Sequence, residues 1–133
     1  MEGSVRDLSM YRFECALEDL DTSKYNLRGE KYNAAVNRSY YAIFHALRAV
    51  TILDGFDSKK HSGIIAFFNK QYVKEGVFDK KISRIIKNSF EVRSNADYAD
   101  FYVVSKKDAE EQIDYAEELI SVIKDYLEER WNQ

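Results

Sequence analysis

Apolar positions recur along this chain at spacings of three and four, and five segments carry that helical period. The first, Val5 to Tyr25, has Leu8, Tyr11, Cys15, Leu17, Leu20 and Lys24 as its expected inner stripe, with a polar outer face. The second, Glu30 to Leu53, is apolar nearly all round, from Ala34, Ala35 and Val36 to Val50, Ile52 and Leu53. Such a helix belongs at the centre, with neighbours on several sides or with part of its surface in an oligomer interface. Gly55 follows it as a C-terminal stop. A third helix is expected from Ser58 as N-cap, through Ile64, Ile65, Phe67 and Phe68, fraying near Tyr72 and ending at Gly76. A fourth starts after Asp79 and runs through Ile82, Ile85, Ile86, Ser89 and Phe90 to Arg93, followed by a tyrosine-rich acidic loop from Asp97 to Val104. The fifth opens on Ser105-Lys106-Lys107-Asp108, a near capping box. Its Ala109, Ile113, Ala116, Ile120, Ile123 and Leu127 alternate spacings of four and three, a heptad seam suited to near-antiparallel packing. The pattern predicts an all-α fold, an antiparallel up-and-down bundle of four to five helices, in one domain over residues 1–133.

Composition sharpens this reading. There is no proline, which leaves glycine to punctuate long helices. The longest apolar stretch, Tyr40 to Leu53, is interrupted by His45 and Arg48 and is too short for a bilayer. Glu2, Arg6 and Asp7 precede any apolar run, unlike a signal peptide, so the expected location is cytoplasmic, with no membrane association. Cys15 is the only cysteine, and no ligand spacing argues for a metal; no cofactor is expected. The net charge of −3 is unevenly spread: residues 58–93 carry nine Lys or Arg against three Asp or Glu, while residues 94–133 carry four against eleven. The middle third therefore has the charge to face a polyanion, or to pack beside the acidic last helix.

Arg38 and His45 are the chemistry this pattern singles out. Seven residues apart, they return to within about 20° of one direction on the helix, two turns apart and close enough to converge on one small anion. A guanidinium fork suits a phosphate and an imidazole exchanges protons near neutral pH, the minimum for metal-free phosphodiester cleavage. The plainer alternative is that Arg38 pairs with a carboxylate of a neighbouring helix, Asp97 being one candidate, and that His45 bonds a carbonyl. Arg93 continues the apolar stripe of the fourth helix and needs a partner: a clamp on the 97–104 loop, or a second phosphate in the same cleft. Lys59, Lys60 and His61 at the start of the third helix form either an anion-binding first turn or a solvated one.

Three stretches are similar to motifs of the HEPN superfamily: Asn37-Arg38-Ser39-Tyr40-Tyr41-Ala42-Ile43-Phe44-His45-Ala46, His61-Ser62-Gly63-Ile64-Ile65-Ala66-Phe67-Phe68 and Arg93-Ser94-Asn95-Ala96-Asp97-Tyr98. With the heptad-like last helix, the chain resembles a branch of small prokaryotic HEPN proteins over nearly its whole length. The resemblance implies a bundle that forms a homodimer and pairs with a small nucleotidyltransferase in a toxin–antitoxin operon. It implies a metal-independent endoribonuclease whose Arg and His, here Arg38 and His45, are catalytic and leave 2′,3′-cyclic phosphate ends on RNA. Tyr41, Arg93, Lys59, Lys60 and His61 are then the expected substrate contacts, and Tyr98 and Tyr102 the expected sites of regulatory nucleotide attachment. Some relatives in the superfamily are instead non-catalytic, nucleotide- or substrate-binding partners of nucleotidyltransferases, and that is the alternative expectation.

Overall fold

A computed structural model describes residues 2–133. Five α-helices follow one another, α1 (Glu2–Arg28), α2 (Tyr32–Thr51), α3 (His61–Phe68), α4 (Lys80–Tyr98) and α5 (Lys106–Trp131), with no strand among the described residues. A 3₁₀ turn over Ile52–Asp54 prolongs α2 and closes at Gly55, whose φ of +79° is the left-handed stop expected of a glycine there. A π turn over Asn69–Val73 continues α3. None of the helices is long and apolar enough to cross a membrane.

The α2 helix is the axis of the bundle and packs against each of the other four. Its Ala42, Ala46, Ala49 and Val50 are wholly buried, because small residues let neighbouring backbones come close on several sides. The α5 seam is as expected: Ala109, Ile113, Ala116, Ile120, Ile123 and Leu127 are all buried. Ser105 Oγ accepts from the Asp108 N–H at 3.0 Å and an Asp108 carboxylate oxygen from the Ser105 N–H at 3.3 Å, which completes the capping box. Asp79 caps α4 by accepting from the Lys81 N–H at 2.8 Å.

Three expectations need correcting. The buried face of α1 is not the Leu8/Tyr11/Cys15/Leu17 stripe but Ser9, Arg12, Phe13, Ala16, Leu20 and Ser23. The cause is hydrogen bonding across the α1–α2 contact: Ser9 Oγ donates to the Ala49 carbonyl at 2.6 Å and Ser23 Oγ to the Ala35 carbonyl at 2.7 Å. Trp131 Nε1 in turn donates to Ser9 Oγ at 2.9 Å. Buried hydroxyls are tolerable because they are satisfied, and Leu8, Tyr11 and Leu17 are left on the surface. Second, α3 begins at His61, not Ser58. Ser58 Oγ instead accepts from the Lys60 N–H at 3.1 Å, one turn earlier. Third, α4 runs on through Tyr98, so Asp97 and Tyr98 are helical and the connection is only residues 99–105, with Phe101 fully exposed at a φ of +62°.

Two carboxylates pin the turns to the bundle. Asp54 accepts from Tyr72 Oη and from Arg130 Nη2, the latter at 3.0 Å, and so joins the 3₁₀ turn, the π turn and α5. Asp57 accepts from Arg12 Nη2 at 2.9 Å and Arg48 Nη2 at 3.2 Å. Burial alone would raise both carboxyls, but these hydrogen bonds outweigh it and hold them below their ordinary values. A carboxyl depressed by folding stabilises the native state above its unfolded pKa of about 4, and that stability is lost as pH falls through the folded value. Asp54→Asn is therefore expected to lower stability by about 1 kcal/mol at pH 7, a value discounted for the partial exposure of the pair. Thermal melts at pH 7 and pH 3 check this: variant and wild type should converge in acid, and an equal gap at both pH values would refute it.

Candidate active site

The exposed edge of α2 presents Arg38, Tyr41 and His45 at i, i+3 and i+7, and three other helices supply groups to it. From α1 comes Asp19, which lies beside the polar seam because it is three residues beyond the buried Ala16. Its two carboxylate oxygens face the two α2 residues: Arg38 Nη1 at 3.2 Å and His45 Nε2 at 3.5 Å, the second long for a hydrogen bond. The guanidinium of Arg38 is held from the other side by Asn37, whose Oδ1 accepts from Nη2 at 2.9 Å and Nε at 3.2 Å. The Arg38 side chain is 37% exposed and that of His45 27%, so the pair opens to solvent.

A second cluster lies across Tyr41. The first residue of α3, His61, turns its ring inward, with Nδ1 2.8 Å from the buried Tyr40 hydroxyl and its ring centroid 4.0 Å from that of Phe44. From α4, Arg93 donates through Nη2 to the Tyr41 hydroxyl at 3.2 Å and sets its Nε 2.9 Å from Asp97, a charge contact in which the N–H is not aimed at the carboxylate. Asp97 also accepts from Asn37 Nδ2 at 3.4 Å, tying α4 to α2. Tyr41 is the shared centre. Arg38 lies 4.9 Å and Arg93 5.5 Å from its ring centroid, while the rings of His61 and His45 are 5.6 and 6.4 Å away. Phe44 likewise contacts both histidines. The site thus holds two guanidiniums and two imidazoles on one aromatic platform, with a carboxylate at one end.

Burial disfavours the imidazolium form of both histidines. His45 is pushed below its ordinary value by burial; Asp19 pulls the other way, and Arg48, Arg38 and Arg12 add to the depression. For His61 burial is followed by Arg93, Arg48 and His45, all acting downward. The Tyr40 hydroxyl is pushed up to about 12, chiefly by burial, so it stays protonated and able to donate to His61.

The structure brings together Arg38, Tyr41, His45, His61 and Arg93 from among the expected site residues. It separates Lys59 and Lys60 from them: both lysines are exposed, while His61 faces the tyrosines, so the three do not form one anion-binding turn. The carboxylate facing Arg38 is Asp19 rather than Asp97, which belongs to Arg93. The Arg93–Asp97 clamp exists, but within one helix at i, i+4 instead of between helix and loop. Tyr98 is 76% exposed with its ring 5.9 Å from Arg93, whereas Tyr102 packs half-buried against the core. Among the described residues, no three His, Cys, Asp or Glu side chains converge as a metal site requires. Asp19 and Tyr40 were not singled out from the sequence. The signal for Asp19 is its place at the margin of the Phe13/Ala16/Leu20 spacing, and for Tyr40 its adjacency to Tyr41 on the most buried helix.

Residues 9–126 of this bundle match the HEPN domain, and the chain belongs to the HEPN family. It is similar to a UPF0332 protein of Thermotoga maritima, 33% identical over 86% of each chain. Two proteins of Methanocaldococcus jannaschii that carry the name "Putative toxin" are also similar. One is 34% identical over 97% of this chain and 96% of its own; the other is 29% identical over 86% and 78%.

Proposed function

We propose that this chain is a metal-independent endoribonuclease and acts as a toxin. The observation that carries the reading is the convergence of Arg38, His45, His61 and Arg93 on one half-open platform. The names of the Methanocaldococcus relatives and membership of the HEPN family support it. In this reading Arg38, and beside it Arg93, bind the non-bridging oxygens of an RNA phosphate and stabilise the charge that grows on them. His45, oriented by Asp19, removes the proton of the ribose 2′-OH. The 2′-oxygen attacks phosphorus, the bond from phosphorus to the 5′-oxygen breaks, and a proton from His61 neutralises the departing alkoxide. The products are a 2′,3′-cyclic phosphate and a 5′-hydroxyl. The test is incubation with tRNA and mRNA panels in chelator-containing buffer, with end-group mapping. Cuts bearing cyclic phosphate ends, lost in folded Arg38→Ala and His45→Ala, are expected. Intact RNA under conditions where a control nuclease cuts would sink the reading and leave the nucleotide-binding partner of a nucleotidyltransferase as its successor.

The same reading expects a homodimer, and α1 supplies a face for one. Met10 and Leu17, seven residues apart and so within about 20° of one direction on the helix, are 37% and 44% exposed. Exposed apolar clusters of this kind mark interfaces. Sedimentation velocity is expected to show a dimer that Met10→Asp with Leu17→Asp converts to a monomer; a wild-type monomer at all concentrations refutes it.

A further inference from the structure

A hollow of about 410 Å³ lies between α3 and α4, walled by Ile65, Ala66, Ile86 and Phe90. Pockets of this size hold small planar ligands. It adjoins the candidate active site at two points. Ser62, on its edge, follows His61 in the chain, and the Phe90 ring lies 6.1 Å from that of Tyr40, which holds His61. Phe90 is 39% exposed, an aromatic face turned to the solvent. At Asn69 and Ser83 the hollow runs into a second one, of about 590 Å³, edged by Lys74, Lys80 and Arg84. With Lys87 on the first hollow, these are four cations that form no ion pair among the described residues, whereas Lys81 beside them is taken by Glu118 at 2.8 Å. The Asn69 side-chain oxygen, at the junction, has no hydrogen-bond partner in the protein.

We propose that this α3–α4 groove binds the single-stranded RNA that flanks the cleaved phosphate, with an unpaired base in the apolar hollow against Phe90 and the following phosphates on Lys87, Arg84, Lys80 and Lys74. The proposal rests on the nuclease reading, since it takes its direction from the site beside His61. An apolar slot with an exposed aromatic ring and a cationic rim is the chemistry of base stacking with backbone neutralisation, and it needs no particular sequence. It also explains the +6 net charge of residues 58–93 in a chain of net charge −3. A double helix cannot insert a base into the slot, so single strands are favoured over duplexes.

The test uses the full chain and a fluorescent 2′-O-methyl oligoribonucleotide, which lacks the attacking hydroxyl and cannot be cut. Fluorescence anisotropy is followed against salt concentration. Arg84→Gln with Lys87→Gln is expected to weaken binding about tenfold and to flatten the salt slope by about 1.4, the share of two phosphate contacts on a single strand. Phe90→Ala, and Ala66→Trp as a second variant that fills the hollow, are expected to weaken binding about tenfold with the slope unchanged. Variants that bind as wild type does, in an enzyme that still cuts RNA, would overturn the groove and leave the nuclease reading standing. Groove-dependent binding by a wild type that never cuts would overturn the catalytic reading instead. A duplex that competes as well as a single strand also overturns the proposal.

Discussion

Arg38→Ala is expected to lower kcat/KM for RNA cleavage by about 10² to 10³, the cost of removing a group that stabilises charge developing in the transition state. The loss should come without unfolding. The Arg38 side chain is 37% exposed and its ion pair with Asp19 is part-solvated, so the pair contributes at most about 1 kcal/mol to stability. Activity and stability thus separate by magnitude. The loss of rate corresponds to about 3–4 kcal/mol of transition-state binding, several times what the fold stands to lose. Geometry makes a further distinction. In the free protein Asn37 and Asp19 hold three guanidinium nitrogens over the Tyr41 ring, so the fork is preset before any phosphate arrives. Arg38→Lys keeps the charge but loses the fork, and its activity should fall between wild type and alanine. If Arg38→Ala melts and cuts like the wild type, Arg38 is only the structural partner of Asp19 and the catalytic reading fails.

The sequence pattern was most informative where packing is apolar and local. Every seam position of α5 is apolar, so period and burial coincide, and the α2 stop at Gly55 rests on a backbone conformation that glycine favours. In α1 the pattern misleads. Its contact with α2 includes Ser9 and Ser23 donating to backbone carbonyls and Arg12 donating to the Arg48 carbonyl at 3.4 Å, and no scale of hydrophobicity assigns those residues to a core. The error has a functional consequence: rotating α1 to its true face brings Asp19 against Arg38 and His45. His61 was obscured for a different reason. Its neighbours in sequence are lysines, and only the start of α3 at His61 itself shows that its ring turns toward Tyr40 and away from them. The need of Arg93 for a partner was legible from its place on an apolar stripe. That the partners include Tyr41, 52 residues away, is a matter of tertiary placement alone.

The cleavage reaction is expected to run fastest below pH 6.5 and to depend on both histidines in opposite ways. Cleavage needs one imidazole neutral, to take the 2′-OH proton, and the other protonated, to supply the 5′-oxygen. Both His45 and His61 are held below the ordinary value of 6.5, in each case first by burial. The groups facing His45 are Asp19 and Arg12 of α1 with Arg38 and Arg48 of α2; those facing His61 are Tyr40, His45 and Arg48 of α2 and Arg93 of α4. Only Asp19 works against the depression. The bell of kcat/KM therefore sits on the acid side of neutrality, and above its maximum activity falls about tenfold per pH unit as the proton donor empties. The same shifts act on the fold. The unfolded chain takes up protons before the native one, so stability is unaffected above pH 6.5 and declines as pH falls toward the folded values. Melts at each pH keep the two effects apart. His61→Asn is expected to reduce kcat/KM by about 10² to 10⁴ and to remove the alkaline limb, whereas His45→Asn removes the acid limb. A substrate whose 5′-oxygen is replaced by sulfur departs as a thiolate and needs no proton. It should restore cleavage to His61→Asn and not to His45→Asn. Rescue of His45→Asn instead would exchange the two roles, and rescue of neither, with both limbs intact in each variant, would remove His61 from the reaction and confine it to holding Tyr40.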